Sequence, residues 1–386
     1  MRSITRTRTR SRHPLLMLAA VTLATTLLGC GCSDDTDELA TGLRAVIHAD
    51  ATAHGFISNG VSVRLQDGRI LRAAEGHTGP ATTQPYDLFH TEQVIGSVTK
   101  LFTTVLVMQL VEQGRISLED HADRWLSFPG AGAITVRMLL THTSGLADYL
   151  PLLTLPQLGQ PWTPSQLLAL ATAAPALGHA GMDKAIYSNT NFLVLAMIVE
   201  AETHTSWAAN VQQRIVQPLG LQHTYYVADR PRSAALAGGW LETESGWLDT
   251  LTLFDGSVGW GIGALVSSNA ELLRFTEALF DGELFADPAT LTAMRTYTVE
   301  RDPAYLGPEP PGRIGLGLMT LSAEGITLEG HLGHIEGYHA GALRDPETGA
   351  LIVVTSNDDR AWAGLTALKV AAYLRAQPGA SAQRTW

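Results

Sequence analysis

Cysteine is almost absent from this chain of 386 residues: Cys30 and Cys32 are the only two. The domain that follows them therefore has no disulfide to staple it. Cys-x-Cys also lacks the further thiols that a metal site would need. Lysine is nearly as scarce, with Lys100, Lys184 and Lys369 alone. No His-Glu-x-x-His occurs, and no carboxylate stands at an obvious spacing from His331, His334 and His339. We therefore expect no metal and no other cofactor. Basic charge is short as well: the net charge is −11. It is more negative still once residues 1–29, which carry five arginines and no acid, are set aside. An acidic surface argues against nucleic acid as a partner. There is no internal repeat and no low-complexity segment.

The first 29 residues differ from the rest. Arg2, Arg6, Arg8, Arg10 and Arg12 precede an apolar stretch, Leu15 to Leu28, too short for a spanning helix with these flanks. Leu27-Leu28-Gly29-Cys30 resembles the lipobox of bacterial lipoproteins. The resemblance implies cleavage before Cys30, a lipid on that cysteine and a place in the bacterial cell envelope, anchored to the membrane. An uncleaved signal anchor and ordinary secretion are the other readings. Residues 30–36 then form a polar tether, and 37–380 the folded domain.

That domain reads as α/β (α+β). Asp37 to Ala49 has the pattern of an amphipathic helix. Residues 60–74 read as two strands around Asp67-Gly68, a strong hairpin signal. From about 115 to 225 the pattern is mostly helical. Asp255 to Ser268 is glycine-rich, and Asn269–Phe280 reads as a helix. Strand patterns return at Gly315–Leu321, Ile326–Leu328, Tyr338–Arg344 and Leu351–Ser356, and Trp362–Leu374 is a closing helix. Strands at both ends with helices between predict one antiparallel sheet, flanked by N- and C-terminal helices, with an inserted helical subdomain.

Three stretches carry chemistry. Gly96-Ser97-Val-Thr-Lys100 opens an apolar helix that ends near Gly114, so Ser97 and Lys100 share its first turn. The positive end of the helix dipole favours an alkoxide there, and a hydroxyl beside a group able to take its proton is an activated nucleophile. A surface lysine behind a serine N-cap is the plainer reading. Tyr187-Ser188-Asn189 enters the next long helix; extended backbone turns the phenol and the carboxamide to one side, and a phenol near an ammonium can act as a base. Gly330-His331-Leu332-Gly333-His334 holds glycines that permit close backbone approach. His142 reads as a hydrogen-bonded histidine in a turn.

Taken together, Ser97-x-x-Lys100, Tyr187-x-Asn189 and His331-Leu332-Gly333 resemble the three boxes of the serine penicillin-recognising family. The branch is that of class C β-lactamases, soluble D-alanyl-D-alanine carboxypeptidases and their esterase relatives. Ile134–Leu146 and Gly330–Tyr338 are similar too, and the likeness runs from about residue 40 to 375. It implies a β-lactamase/transpeptidase-like fold and an acyl-enzyme on Ser97. Lys100 and Tyr187 would manage the serine proton, His331 would assist, and Asn189 and Gly333 would bind substrate. Backbone N–H groups of Ser97 and of the strand near Tyr338–His339 would hold the oxyanion. The substrate would be a peptidyl or ester small molecule, with D-alanyl-D-alanine carboxypeptidase-like action on cell-wall peptides. The alternatives are an esterase, a class C-type β-lactamase, or a non-catalytic lipoprotein that binds peptidoglycan or senses β-lactams.

The chain departs from the family twice. Leu332 stands where the third box usually has Thr or Ser, which predicts a lost hydroxyl for a substrate carboxylate. Met319-Thr-Leu follows Gly315–Leu318 where the carboxypeptidases place an arginine for the same group. Both shift weight toward an esterase, amidase or endopeptidase. His77-Thr78-Gly79 matches the third box literally, but it precedes the nucleophile and reads as a turn.

Overall fold

A computed structural model describes residues 35–305 and 311–377. Residues 1–34, with Cys30 and the signal-like stretch, lie outside the described residues. Helix 35–54 opens the domain; it takes in residues 35 and 36, read above as tether. Among the described residues no helix is long and apolar enough to cross a membrane.

In chain order the strands are β1 (Ser58–Arg64), β2 (Ile70–Gly76), β3 (Glu92–Val94), β4 (Lys184–Ala185), β5 (Tyr225–Tyr226), β6 (Trp240–Thr243) and β7 (Gly246–Asp249). The second half supplies β8 (Leu265–Ser268), β9 (Val299–Arg301), β10 (Arg313–Ile314), β11 (Met319–Ala323), β12 (Ile326–Ile335), β13 (Tyr338–Arg344) and β14 (Leu351–Ser356). Nine of them form one sheet in the order β2-β1-β14-β13-β12-β11-β10-β9-β4. Its core is antiparallel, as expected. The exception is its edge, where β4 pairs with β9 in parallel, a two-residue ladder too short to show in sequence.

Both faces of the sheet are covered, and β14 shows why it reads as an unbroken apolar run: all six of its residues are buried. Successive side chains point to opposite faces. Ile352 and Val354 join Leu43, Ile47, Leu332, Leu368 and Leu374 under the two terminal helices. Leu351 and Val353 join the larger core beneath helix Thr99–Glu112, with Phe102 and Phe275 stacked at 3.7 Å. That helix is buried over almost its whole length, so it is apolar all round rather than amphipathic.

One strand assignment, Gly315–Leu321, holds only for its second half, which lies in β11. Gly315-Leu-Gly-Leu alternates as a strand should, yet it forms the turn between β10 and β11, with Gly317 at φ +71°. Leu316 and Leu318 reach down into the core under the Thr99 helix. Alternation arose here from two anchors spaced by turn glycines.

Candidate active site

Ser97 sits in a single 3-10 turn, Gly96–Val98, which runs straight into helix Thr99–Glu112. Lys100 is fully buried in that helix. Its Nζ donates to Ser97 Oγ, to Asn189 Oδ1 and to the carbonyl of Ile262, each at 2.8 Å. Three acceptors suit the three hydrogens of an ammonium, and a buried charge needs such partners. The Ile262 carbonyl comes from helix Gly256–Gly263. The sequence showed this segment only as a glycine-rich stretch, and a backbone oxygen leaves no mark in sequence.

Tyr187 Oη donates to Ser97 Oγ at 2.9 Å, so the serine oxygen faces both an amine and a phenol. Extended backbone at Ser188 turns Tyr187 and Asn189 the same way. The Asn189 carboxamide is then fixed from both ends: its oxygen faces the Lys100 ammonium, and its nitrogen donates to Asp148 Oδ2 at 2.9 Å. Asp148 also accepts from the Leu150 N–H at 3.1 Å. Burial pushes its carboxyl upward against those donors and the nearby Lys100. Nothing in the sequence singled out Asp148.

Two histidines flank Tyr187. His142 is buried at φ +55° and stacks on the Tyr187 ring at 4.5 Å. Its Nδ1 accepts from the Ser188 N–H at 3.2 Å and faces Asn191 Nδ2 at 3.0 Å. It therefore holds the backbone between Tyr187 and Asn189. His331, on β12, lies 6.3 Å from Tyr187 ring to ring. Burial, with Lys100 next in weight, drops the His331 ring from 6.5 to about 3. His142 falls well below 6.5, again first through burial and then through Lys100. Both rings are neutral in the folded protein at neutral pH, while the unfolded chain would protonate them below about 6.5. A folded value below the unfolded one means stability is full above that pH and falls as pH drops below it, for His331 down to about 3. Urea unfolding at pH 7 and at pH 4.5 should show a clear loss at the lower pH. Equal stabilities would show that both rings are protonated in the native state.

Gly333 faces the nucleophile turn from β12. A Cβ there would stand 2.0 Å from the Ile95 carbonyl and 3.0 Å from the Val98 nitrogen, and one on Gly96 would stand 2.9 Å from His334 N. The strand against Ser97 is therefore β12 at Gly333–His334, not β13 at Tyr338–His339 as expected. The first box cannot approach so closely except where the third is glycine. Leu332 corrects a second expectation. It points to the opposite face of the sheet, into the core under the terminal helices, so its missing hydroxyl does not fall in the cleft. A cation is near after all: Arg301, from β9, is close enough to weigh on both His142 and His331. It arrives through the parallel β4–β9 edge, which also leads the chain to Tyr187. His77–Gly79 follows β2 away from this cluster, with the Thr78 carbonyl accepting from Trp240 Nε1 at 3.0 Å and Asn357 Nδ2 at 2.9 Å.

A sequence model of the family described as Beta-lactamase matches residues 43–374. The chain is 31% identical over 159 residues to the teichoic acid D-alanine hydrolase of Staphylococcus aureus. That stretch is 40% of this chain and spans only 37% of the hydrolase's length. A solved structure, the D-stereospecific amidohydrolase from Streptomyces sp., is 28% identical with a TM-score of 0.71, over 87% of this chain and 97% of that one. The D-amino acid amidase from Ochrobactrum anthropi SV3, complexed with L-phenylalanine amide, matches at a TM-score of 0.79 and 24% identity. That match covers 88% of this chain and 99% of that one and speaks to the fold.

Proposed function

The chain belongs to the Beta-lactamase family and is a serine hydrolase of that family, and from that premise we propose that it hydrolyses esters or amides of D-amino acyl groups through an acyl-enzyme on Ser97. The observation that carries the mechanism is the shared serine oxygen, 2.8 Å from Lys100 Nζ and 2.9 Å from Tyr187 Oη. One of the two groups must have given up a proton before the attack: as Ser97 Oγ bonds to the substrate carbonyl carbon, its proton passes to Tyr187 as a phenolate beside the Lys100 ammonium, or to Lys100 as a free amine. As the ester or amide bond breaks, the same groups return a proton to the leaving oxygen or nitrogen. Water then repeats the sequence on the acyl-enzyme. The Ser97 and His334 N–H groups hold the oxyanion. Neutral His331 assists Tyr187, and Asn189 keeps Lys100 aimed at the serine.

Two similar proteins are named for hydrolysis at D-configured groups, and Asp148 supports the narrower reading. It is a half-buried carboxylate one carboxamide away from Lys100, and on this reading it would receive the free ammonium of a D-amino acyl substrate. A second reading, carboxypeptidase-like action on cell-wall peptides ending in D-alanyl-D-alanine, is favoured by Arg301, which would receive the terminal carboxylate. Initial rates separate the two. On the first reading, D-alanine esters and D-alanine anilide exceed their L and N-acetylated forms by about tenfold or more, and Asp148→Asn raises KM for the free amines. Turnover confined to N-acyl-D-alanyl-D-alanine, lost in Arg301→Gln, would reject it in favour of the second.

The lipobox-like stretch supports a lipid on Cys30 and a place in the cell envelope. In bacteria expressing the full gene, Cys30→Ser should move the protein from the membrane to the soluble fraction. Retention of the variant in membranes would rule out this anchor.

A further inference from the structure

One side-chain cluster lies outside the site described above. His334 and His339 are directly opposite on β12 and β13, and their rings stack at 4.4 Å with 19° between planes. Cross-strand partners share a face. This face is the one that carries Leu332 and Leu343, under the terminal helices and opposite Ser97. Asp359, just after β14, closes the group. Its Oδ1 lies 3.1 Å from His334 Nε2 and accepts from the Gly337 N–H at 2.9 Å, and its carbonyl lies 3.1 Å from His339 Nε2.

We infer that His334, His339 and Asp359 form a binding site for one divalent transition-metal ion, of the zinc, nickel or copper kind, that ties the β12–β13 hairpin to the start of the closing helix. Sequence spacing argues against metal because no carboxylate stands at an obvious spacing from the histidines. The fold supplies one from twenty residues further on, across a hairpin. One ligand atom from each residue lies within 4.8 Å of the other two. Bonds of about 2 Å to a shared ion require those atoms to close up by roughly an ångström. The His334 side chain is 53% exposed, so its ring borders solvent. His339 is buried and Asp359 half-buried, so two donors are already held by the protein. Two imidazoles and one carboxylate select a borderline ion over calcium or magnesium, which prefer all-oxygen sites. Water reaches the open side through His334 and completes the coordination. The ion has no part in the acyl chemistry. It sits behind the strand whose front presents Gly333 and His334 N to the nucleophile turn, so its effect is to stiffen that strand.

The test is calorimetric titration of the metal-free full chain with zinc chloride, with cobalt chloride as a spectroscopic probe. Cys30→Ser and Cys32→Ser are built in so that no thiol competes. We expect saturable binding of one ion per chain, a rise in melting temperature with zinc, and a cobalt spectrum of low coordination number. Affinity should fall by about tenfold or more in His334→Gln, whose side chain is mostly solvated, and in Asp359→Asn, which keeps an acceptor for Gly337. His339→Gln should behave alike, and the other two variants carry the test should it fail to fold. No saturable binding to the parent chain, or unchanged affinity in both His334→Gln and Asp359→Asn, would overturn the site.

Discussion

Ser97→Ala should end turnover of every substrate, with a loss of at least about a thousandfold in kcat. It should also abolish any covalent adduct with benzylpenicillin seen by intact mass. The reason is geometric. The two proton-handling groups of the cleft, Lys100 Nζ and Tyr187 Oη, both point at the one oxygen that the substitution removes. Without it they have nothing to deprotonate, and an acyl-enzyme cannot form. The fold should hold, because alanine fits wherever serine does in a 3-10 turn, and the ammonium keeps Asn189 and the Ile262 carbonyl. The wild-type time course is informative in its own right. A long-lived adduct marks a penicillin-binding site, hydrolysed drug without an adduct marks a β-lactamase, and neither outcome points to D-amino acyl esters and amides. Residual turnover near the wild-type rate in the variant would remove Ser97 from the mechanism and the proposed function with it.

Lys100→Ala should cost nearly as much, about a thousandfold. The double variant Ser97→Ala/Lys100→Ala should be no worse than Ser97→Ala, because the two residues act as one unit. More is at stake here than a proton. Removing the ammonium strips a donor from Asn189 Oδ1 and from the Ile262 carbonyl, both inside the protein, and unsatisfied buried acceptors are expensive. It also takes away the positive charge that offsets Asp148 across the Asn189 carboxamide. Lys100→Ala should therefore unfold at lower denaturant than the parent, whereas Ser97→Ala should not. Single-turnover kinetics and urea titration on the same samples read both effects. Additive losses in the double variant would show that serine and lysine serve separate steps.

The parts of this site that local spacing made legible are neighbours in the chain, whereas the convergence of Tyr187 and Gly333 on Ser97 was legible only through the family resemblance. Lys100 reaches Ser97 because three residues make most of a helical turn, and Tyr187 and Asn189 converge because extended backbone alternates. Helix 269–280 was legible to the residue, since its core side chains recur at helical spacing and Ser268 caps it. The parts that could not be read depend on where distant segments land. Asp148, Arg301 and the Ile262 carbonyl come to their places through a loop, a sheet edge and a bent glycine-rich helix. The face to which Leu332 points is hidden in the sequence for a similar reason. Its position in a three-residue box says nothing of which face of β12 looks at Ser97, and only the helices packed behind the sheet decide that.

The pairing of β1 with β14 has a consequence for how this protein comes into being. The first strand of the sheet is held on one side by the last, with Gly60 opposite Thr355. The Ile57 N–H donates to Asp358 at 2.6 Å, and Ser58 bonds Asn357. A ribosome making the chain from its N-terminus must finish nearly all of it before β1 can find more than its hairpin partner. Until then the β1–β2 hairpin is a two-stranded ribbon, which is marginal in water, and contacts this far apart in sequence form slowly. One side of β1 thus stays without its partner strand until the end of synthesis. That is a hazard for a protein that must fold where it is made, and a convenience for one that is threaded through a narrow channel first.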